Sequence, residues 1–227
     1  MTVLLVVATI LVFLGIDWGL RRFKAGRSVS LAPVTPARAH ESLATMAVRA
    51  PEGMFFARSH TWLNLFPSGK VRLGLDDFVG RLLEQPEITY LKREGEPVKR
   101  GERIMVLTEG ARSLTVRSPI DGSILSRNEE LKKNPALLKE QLFSDGWAYA
   151  IKPQRSSDLK LMLLGDETRG WMRNEFGRLR DVFAGMGANS DVLPALLQDG
   201  GAPVAGALKQ MDEGVWKKFE ATFLEVQ

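Results

Sequence analysis

The sequence contains no cysteine among its 227 residues, and its only histidines are His40 and His60. The lack of cysteine excludes disulfides, zinc ribbons, thiol redox chemistry and iron–sulfur ligation by this chain. Two isolated imidazoles also exclude a histidine-rich metal site, so we predict no metal ligand. Positive charge is not concentrated either, because the net charge of +4 is spread along the chain without a dense Lys/Arg tract interleaved with aromatics. We therefore expect no nucleic-acid partner.

Motifs for catalysis are lacking as well. The glycines form no GxxxxGK[ST] pattern that would cradle a phosphate, and Gly101, Gly110 and Gly122 are interpreted as turn residues. His60 lies close to Trp62, but no serine motif or paired carboxylate nearby in the sequence makes it part of a nucleophilic site. We interpret His60 as structural. The sequence therefore predicts no catalytic residue, and we expect that the protein is not an enzyme.

The N-terminus is a long apolar segment, with no charged side chain before Asp17. As a helix, residues 1–20 would extend about 30 Å, which matches the hydrocarbon core of a bilayer. A cleaved signal peptide is the alternative, but no basic region precedes the apolar run and no small-x-small cleavage site follows it promptly. We therefore predict a transmembrane anchor over residues 1–20 that contacts membrane lipid.

Basic residues directly after this segment predict its orientation. Arg21, Arg22, Lys24 and Arg27 flank the apolar run, and basic flanking residues stay on the cytoplasmic side because their translocation is unfavourable. The localisation expected from the sequence is a single-pass membrane protein whose C-terminal domain is cytoplasmic.

Three further regions follow the anchor. Residues 21–53 mix Pro, Ala, Ser and Arg without a sustained apolar period, which is typical of a linker or stalk. Residues 54–153 contain short strands, among them a hairpin in which the turn PSG joins TWLNLF to KVRLGL, and Asp76 and Asp77 are expected to cap a short helix. This pattern predicts a compact, mainly β domain that closes like a small barrel or sandwich.

Residues 154–227 are predicted to form a C-terminal helical extension. Apolar residues recur at helical spacing from Leu159 to Phe183, and again from Val204 to Phe223. We expect the second apolar stripe to pack mainly on the first helix as a helical hairpin. Part of this surface, together with the basic face formed by Arg173, Arg178 and Arg180, is the candidate docking surface for a protein partner.

The β region resembles the H protein of the glycine cleavage system, a lipoyl-carrier family. The stretches that carry the resemblance are FARSHTW, GKVRLGLDDFVGRLL, YLKREGEPVKRGERI, SPIDGSILSRNEELKKNPALL and DGWAYAIKP, in the family's order and spacing. The resemblance implies a barrel-sandwich hybrid fold of the biotinyl/lipoyl type. It also implies a lysine on an exposed hairpin that receives lipoate through an amide bond.

That lysine is missing from this sequence. Counting back from SPIDG places Ala111 at the modified position, whereas alignment on Glu109 places Arg112 there. Alanine has no nucleophile, and the arginine guanidinium stays protonated, so neither residue can be acylated in this way. No lysine occurs between Lys99 and Lys132, so a small register shift cannot supply one. We predict a degenerate lipoyl position and no bound cofactor, and we expect Glu109 and Arg112 to form a solvated charge pair.

Three functions remain open at this point. The first is a non-catalytic, membrane-tethered interaction or scaffold subunit, which binds protein partners in a membrane-associated complex and carries no covalent lipoate. The second is a lipoyl carrier that uses a non-standard lysine, with Lys99 and Lys132 the nearest candidates. The third is a binder of a free small molecule in a groove of the domain.

Overall fold

The computed structural model describes residues 48–186 and 206–226. Within these two ranges no helix combines the length and the apolar character that crossing a bilayer requires. The predicted anchor over residues 1–20 and almost all of the predicted linker lie outside the described residues. The transmembrane segment therefore stays a prediction from the sequence.

The strands all lie between Phe55 and Pro153, so this part of the chain is mainly β, as the sequence predicts. Nine strands are assigned within the described residues: β1 Phe55–Ala57, β2 Thr61–Leu65, β3 Val71–Leu75, β4 Glu87–Tyr90, β5 Pro97–Val98, β6 Arg103–Glu109, β7 Arg112–Arg117, β8 Gly122–Arg127 and β9 Trp147–Pro153. They build a six-stranded sheet in the order β1-β2-β3-β9-β8-β5 and a three-stranded sheet in the order β4-β6-β7. All pairings are antiparallel.

The predicted hairpin around the turn PSG is confirmed. Strands β2 and β3 pair from Thr61 opposite Leu75 to Leu65 opposite Val71. Trp62 is fully buried in this hairpin, and a Cβ atom added at Gly74 would lie only 2.5 Å from the Trp62 indole ring. Glycine is therefore required opposite this tryptophan, because any side chain would collide with it.

The short helix after β3 begins as the capping residue predicts. Helix α1 spans Asp77–Leu82, and the Asp76 carboxylate accepts hydrogen bonds from the backbone N–H groups of Phe78 and Val79 at 3.0 and 3.3 Å. Asp77 has a different role from the one predicted, because it is the first helical residue. Its buried carboxylate accepts from the Arg49 side chain at 2.6 Å and from the Arg81 side chain at 2.9 Å.

Two short helices that the sequence reading does not include lie between β8 and β9. Helix α2 spans Glu129–Lys133 and helix α3 spans Leu137–Glu140. The Asn128 side chain caps α2 by accepting from the N–H groups of Glu130 and Leu131. Its amide nitrogen also donates to the carbonyl group of Asp145, just before β9, and to that of Trp147, the first residue of β9. This asparagine therefore fixes both the start of α2 and the end of the connection between β8 and β9.

The first C-terminal helix begins later than the sequence predicts. Residues Ser156–Leu161 form a 3₁₀ turn, and helix α4 spans Gly165–Met186 instead of starting at Leu159. Gly165 has a φ of +56°, a left-handed conformation that a continuous right-handed helix cannot contain. The break separates the turn from the helix although the apolar spacing runs through both.

The predicted second helix, Val204–Phe223, is shorter and less regular within the described residues. It consists of a 3₁₀ turn over Ala207–Gln210, helix α5 over Glu213–Phe219 and a π-helical turn over Glu220–Leu224. Asp212 caps α5 by accepting from the N–H group of Val215 at 3.0 Å. Residues 187–205, including Pro203 and Val204, lie outside the described part of the chain.

The apolar stripe of the C-terminal segment packs on the β domain as well as on α4. Phe219 and Phe223 lie 5.8 and 5.2 Å from the ring of Phe78 in α1, between ring centroids. Phe176 of α4 lies 4.8 Å from the same ring. From the sequence, the stripe is expected to pack mainly on α4, and the structure adds a second burial surface on the β domain. One hydrophobic core includes residues of both sheets and of the C-terminal helices, so it crosses the boundary drawn at residue 153.

Candidate functional site

The hairpin that joins β6 to β7 carries Ala111 and Arg112, the two residues that the sequence predicts for the degenerate lipoyl position. The last paired residues are Glu109 and Arg112, so Gly110 and Ala111 form a two-residue turn. Gly110 adopts a φ of +66°, which glycine tolerates without strain. Ala111 is exposed at the tip, whereas Arg112 is half-buried. The predicted hairpin is therefore present, and the side chain at its tip is the methyl group of Ala111.

Glu109 does not form the predicted solvated pair with Arg112. Its Oε1 atom accepts hydrogen bonds from the backbone N–H groups of Glu84 at 2.9 Å and Gln85 at 2.7 Å, directly after α1. The other carboxylate oxygen is buried and has no hydrogen-bond partner. Sequence reasoning missed this contact because a carboxylate that satisfies backbone groups 24 and 25 residues away leaves no local pattern.

Arg112 is directed to the C-terminal segment. Its guanidinium donates to the Lys209 carbonyl at 3.2 Å and lies 5.9 Å from the ring centroid of Trp216, within the range of a cation–π contact. The Lys209 ammonium forms an ion pair with Glu84, which holds the pKa of that exposed carboxyl below its usual value. Both side chains next to the turn are therefore held by other parts of the chain.

The outer edge of the hairpin is also covered. Strand β7 ends the three-stranded sheet, so its outward N–H groups have no strand partner. The N–H group of Thr115 donates to the Glu220 carboxylate at 2.8 Å. The C-terminal segment thus satisfies a backbone donor of β7, and it provides a polar contact at the edge of a buried apolar interface.

His60 is buried in a stacked aromatic environment and has no exposed surface. Its ring lies 4.0 Å from that of Phe78 and 4.8 Å from that of Trp171, between centroids, with interplanar angles of 16° and 22°. Its Nδ1 atom is 2.8 Å from Asp76 Oδ2, and its Nε2 atom is 3.8 Å from Glu175 Oε2. The ring therefore lies between two carboxylates from distant parts of the chain.

These carboxylates decide the charge of the imidazole. Burial alone would lower the pKa of His60, but the Asp76 and Glu175 carboxylates together raise it above its usual value. Burial would likewise raise the pKa of Glu175, which instead is lowered by His60 and by Arg178, whose guanidinium donates at 2.7 and 2.9 Å. The full burial of His60 agrees with its structural interpretation. The two carboxylates that contact His60 leave no local sequence pattern, because Asp76 and Glu175 are distant from it along the chain.

No metal centre is formed by the residues that the structure describes, since no group of three or more metal-ligating side chains lies together there. The hairpin does not fit covalent lipoate either. An amide-linked group needs a primary amine, and neither Ala111 nor Arg112 offers one. The arrangement holds the hairpin from both sides and leaves its tip exposed.

The two sheets, the β6–β7 hairpin and the capped helix α1 define a barrel-sandwich domain of the lipoyl-carrier type. A family model described as "Glycine cleavage H-protein" matches residues 54–174, which is more than half of the chain. The chain belongs to the glycine cleavage H-protein family.

The chain is also similar to individual proteins. The chain is 27% identical over 116 residues to a glycine cleavage system H protein from Coprothermobacter proteolyticus, across 51% of this chain and 91% of that protein. It is 31% identical over 109 residues to one from Chromobacterium violaceum, across 48% of this chain and 85% of that protein. The crystal structure of a glycine cleavage system H protein from Mycobacterium marinum aligns with a TM-score of 0.45 and 21% identity, covering 54% of this chain and 98% of that one.

The buried imidazole predicts a specific pH dependence of stability. The folded-state pKa of His60 is raised, so the folded chain holds a proton that the unfolded chain releases at about pH 6.5. This contribution is complete below that pH and is lost as the pH rises through the folded pKa. We expect the free energy of unfolding, measured by urea titration, to fall above about pH 6.5 in the wild type and to lose this slope in His60→Asn.

Asparagine is the matched substitution because it tolerates the left-handed φ of +58° that His60 adopts. His40→Asn, which removes the other imidazole of the chain, is the control and should keep the slope. A slope that persists in His60→Asn would contradict the assignment of the charge to the buried ring.

Proposed function

We propose that this protein is a non-catalytic interaction subunit, tethered to a membrane by residues 1–20, which uses an H-protein-like domain without covalent lipoate. The H-protein family normally carries lipoate. The single observation that carries the proposal is the Gly110–Ala111 turn, because the position of the acceptor amine is held by a methyl group. A domain that keeps the carrier fold but lacks the acceptor can still be recognised by proteins.

The contacts of the flanking residues support a defined binding surface at the turn. Glu109 accepts from two backbone N–H groups, and Arg112 donates to the Lys209 carbonyl. These contacts fix both strands of the hairpin immediately beside the turn. We therefore place the protein-docking surface at the exposed residues Gly110, Ala111 and Ser113.

This placement replaces the docking surface expected on the C-terminal apolar stripe. Phe219 and Phe223 are 0% and 2% exposed, so the stripe is already used within the chain. Two residues of the expected basic face are also paired, Arg178 with Glu175 and Arg180 with Asp181. A protein partner could bind there only after these contacts were broken.

The tether is supported by the sequence of residues 1–20 and by the basic residues that follow it. An uncharged run of this length stays in a bilayer because each apolar side chain gains free energy there, and the flanking arginines favour the cytoplasmic side. We propose the C-terminal domain as cytoplasmic on this basis.

The second candidate function, a carrier with a non-standard lysine, is favoured at Lys132 by one observation. Lys132 is exposed and lines a cavity of about 440 Å³ together with Gln85, whose N–H group is one of the two that Glu109 binds. The cleft is therefore a neighbour of the hairpin. Lys99 has no such relation, since it follows β5 and its N–H group donates to Glu102.

The absence of lipoate is tested by the intact mass of the full chain after expression in a host with active lipoate ligation. We expect the mass of the unmodified polypeptide, because the hairpin offers no primary amine. The matched variant Ala111→Lys places an amine at the exposed tip and should acquire the lipoyl mass. A lipoyl domain that the same host modifies is the positive control.

A lipoyl or octanoyl mass on the wild-type chain would overturn the proposal. Lys132→Arg then separates the two candidates: loss of the added mass in that variant would establish the second candidate, and peptide mapping would locate the group otherwise.

The tether is tested by extraction of isolated membranes with alkaline carbonate. We expect the full chain to remain in the membrane pellet, because a spanning segment is held by its apolar burial and not by charge. A variant that lacks residues 2–20 should appear in the soluble fraction and unfold cooperatively. Release of the full chain by carbonate would show that residues 1–20 do not anchor it.

A further inference from the structure

The six-stranded sheet contains no aspartate or glutamate in any of its strands. Its basic side chains are Arg72 in β3, Arg127 in β8 and Lys152 in β9. Arg127 is paired with Glu129, whose carboxylate lies 2.9 Å away. Neither Arg72 nor Lys152 has a carboxylate partner among the residues that the structure describes. The sheet therefore carries positive charge that no strand of its own neutralises.

The unpaired cations lie on one face, at the end where β2 turns into β3. Arg72 is opposite Ala150 in β9, and Lys152 lies two residues further along that strand, so both side chains point to the same side. Lys70 lies just before β3, and its carbonyl accepts from the N–H group of Phe66 across the turn at 2.9 Å. No carboxylate in the described part of the chain pairs with Lys70.

Two aromatic rings join these cations into one cluster. The Phe66 ring centroid lies 5.2 Å from the Lys70 Nζ atom and 5.3 Å from the Arg72 Cζ atom. The Arg72 Cζ atom also lies 4.8 Å from the Trp147 ring centroid. Both rings are partly exposed, so cation–π contacts hold the cations at the surface without neutralising them. We call Phe66, Lys70, Arg72, Trp147 and Lys152 the cationic face.

Acidic residues near the rim do not cancel the charge of the cationic face. Asp121 precedes β8, but its carboxylate already accepts from the Arg100 N–H group at 2.8 Å and lies 3.5 Å from the Arg155 guanidinium. Glu52 precedes β1 and Asp145 precedes β9, and neither forms an ion pair with the face. Even when both are counted against its three cations, the face keeps a net positive charge. It therefore favours an anionic partner.

Apolar surface at the same end selects among anionic partners. Leu65, next to Phe66 at the end of β2, is 41% exposed, and residues 67–69 of the turn carry no charge. Partly exposed rings that lie beside lysine and arginine are typical of side chains at a membrane–water interface. There the rings and apolar side chains enter the headgroup layer, and the cations meet the lipid phosphates.

We propose that the cationic face docks on an anionic membrane surface, with Leu65 and Phe66 entering the headgroup layer. This docking is separate from the proposed tether. A spanning segment holds the chain in any bilayer, whereas the cationic face distinguishes anionic from neutral lipid. Docking would also fix the orientation of a domain that the tether alone leaves undetermined.

The test uses the full chain in lipid nanodiscs, with a nitroxide label at Ser68→Cys. The chain has no cysteine, so the label is unique, and Ser68 is an exposed residue of the turn between β2 and β3. The discs contain phosphatidylcholine alone or phosphatidylcholine mixed with phosphatidylserine. Collisions of the label with oxygen, which concentrates in lipid, and with a water-soluble nickel chelate report its depth. We expect the oxygen-to-nickel collision ratio to rise only in the anionic discs.

Retention of the chain in the neutral discs reports the tether, and the difference between neutral and anionic discs reports the cationic face. Failure of one is therefore distinguishable from failure of the other. Higher salt should reduce the difference between the two kinds of disc, because it screens the attraction between the cations and the lipid phosphates.

Variants in the labelled chain assign the effect to the cationic face. Lys152→Gln removes one exposed cation and should lower the ratio of docked to undocked label about fivefold, the effect of one basic residue near an anionic surface. Phe66→Ser should leave the label shallower in the anionic discs. Arg173→Gln removes an exposed arginine of α4 and is the matched control, which should behave like the wild type.

Two results would overturn the proposal. One is a collision ratio that is the same in neutral and anionic discs, since the face would then not recognise lipid charge. The other is a rise in anionic discs that Lys152→Gln leaves unchanged or that Arg173→Gln lowers equally. The charge of the chain as a whole, and not the cationic face, would then cause the rise.

Discussion

The packing of aromatic rings around Phe78 is the interaction on which the rest of the structure depends. The ring of Phe78 in α1 is 4.0 Å from His60 and 4.8 Å from Phe176, and it also contacts Phe219 and Phe223 of the C-terminal segment. Aromatic pairs contribute about 0.5–1.5 kcal/mol each beyond the burial of their area. These rings come from the residue before β2, from α1, from α4 and from the C-terminal segment. Their burial therefore joins the helical extension to the β domain in one core.

This docking has a direct consequence for the hairpin. When Phe219 and Phe223 occupy the core, Glu220 lies at the edge of β7 and accepts from Thr115, while Lys209 and Trp216 meet Arg112. The hairpin of a carrier family is thereby held along one edge and beside its turn. The side chain at the tip of this hairpin is the methyl group of Ala111.

Several of these features could be read from the sequence because their signals are local. The β2–β3 hairpin follows from a turn between alternating strands, and the start of α1 follows from the Asp76 cap. The contacts of Glu109 could not be predicted, since its partners are backbone groups in another element. The same holds for His60 and Glu175, which are 115 residues apart and meet only because α4 packs over α1.

The central claim, that the C-terminal segment holds the edge of the carrier hairpin, is tested most directly by amide hydrogen exchange. The account predicts that the Thr115 amide of the full chain is protected and that Glu220→Ala accelerates its exchange about tenfold or more, while amides of the central strand β6 stay slow. Glu213→Ala, which removes an exposed carboxylate paired with Lys217, should leave Thr115 unchanged. A Thr115 amide that exchanges at the rate of an exposed loop in the wild type, or that ignores Glu220→Ala, would contradict the claim.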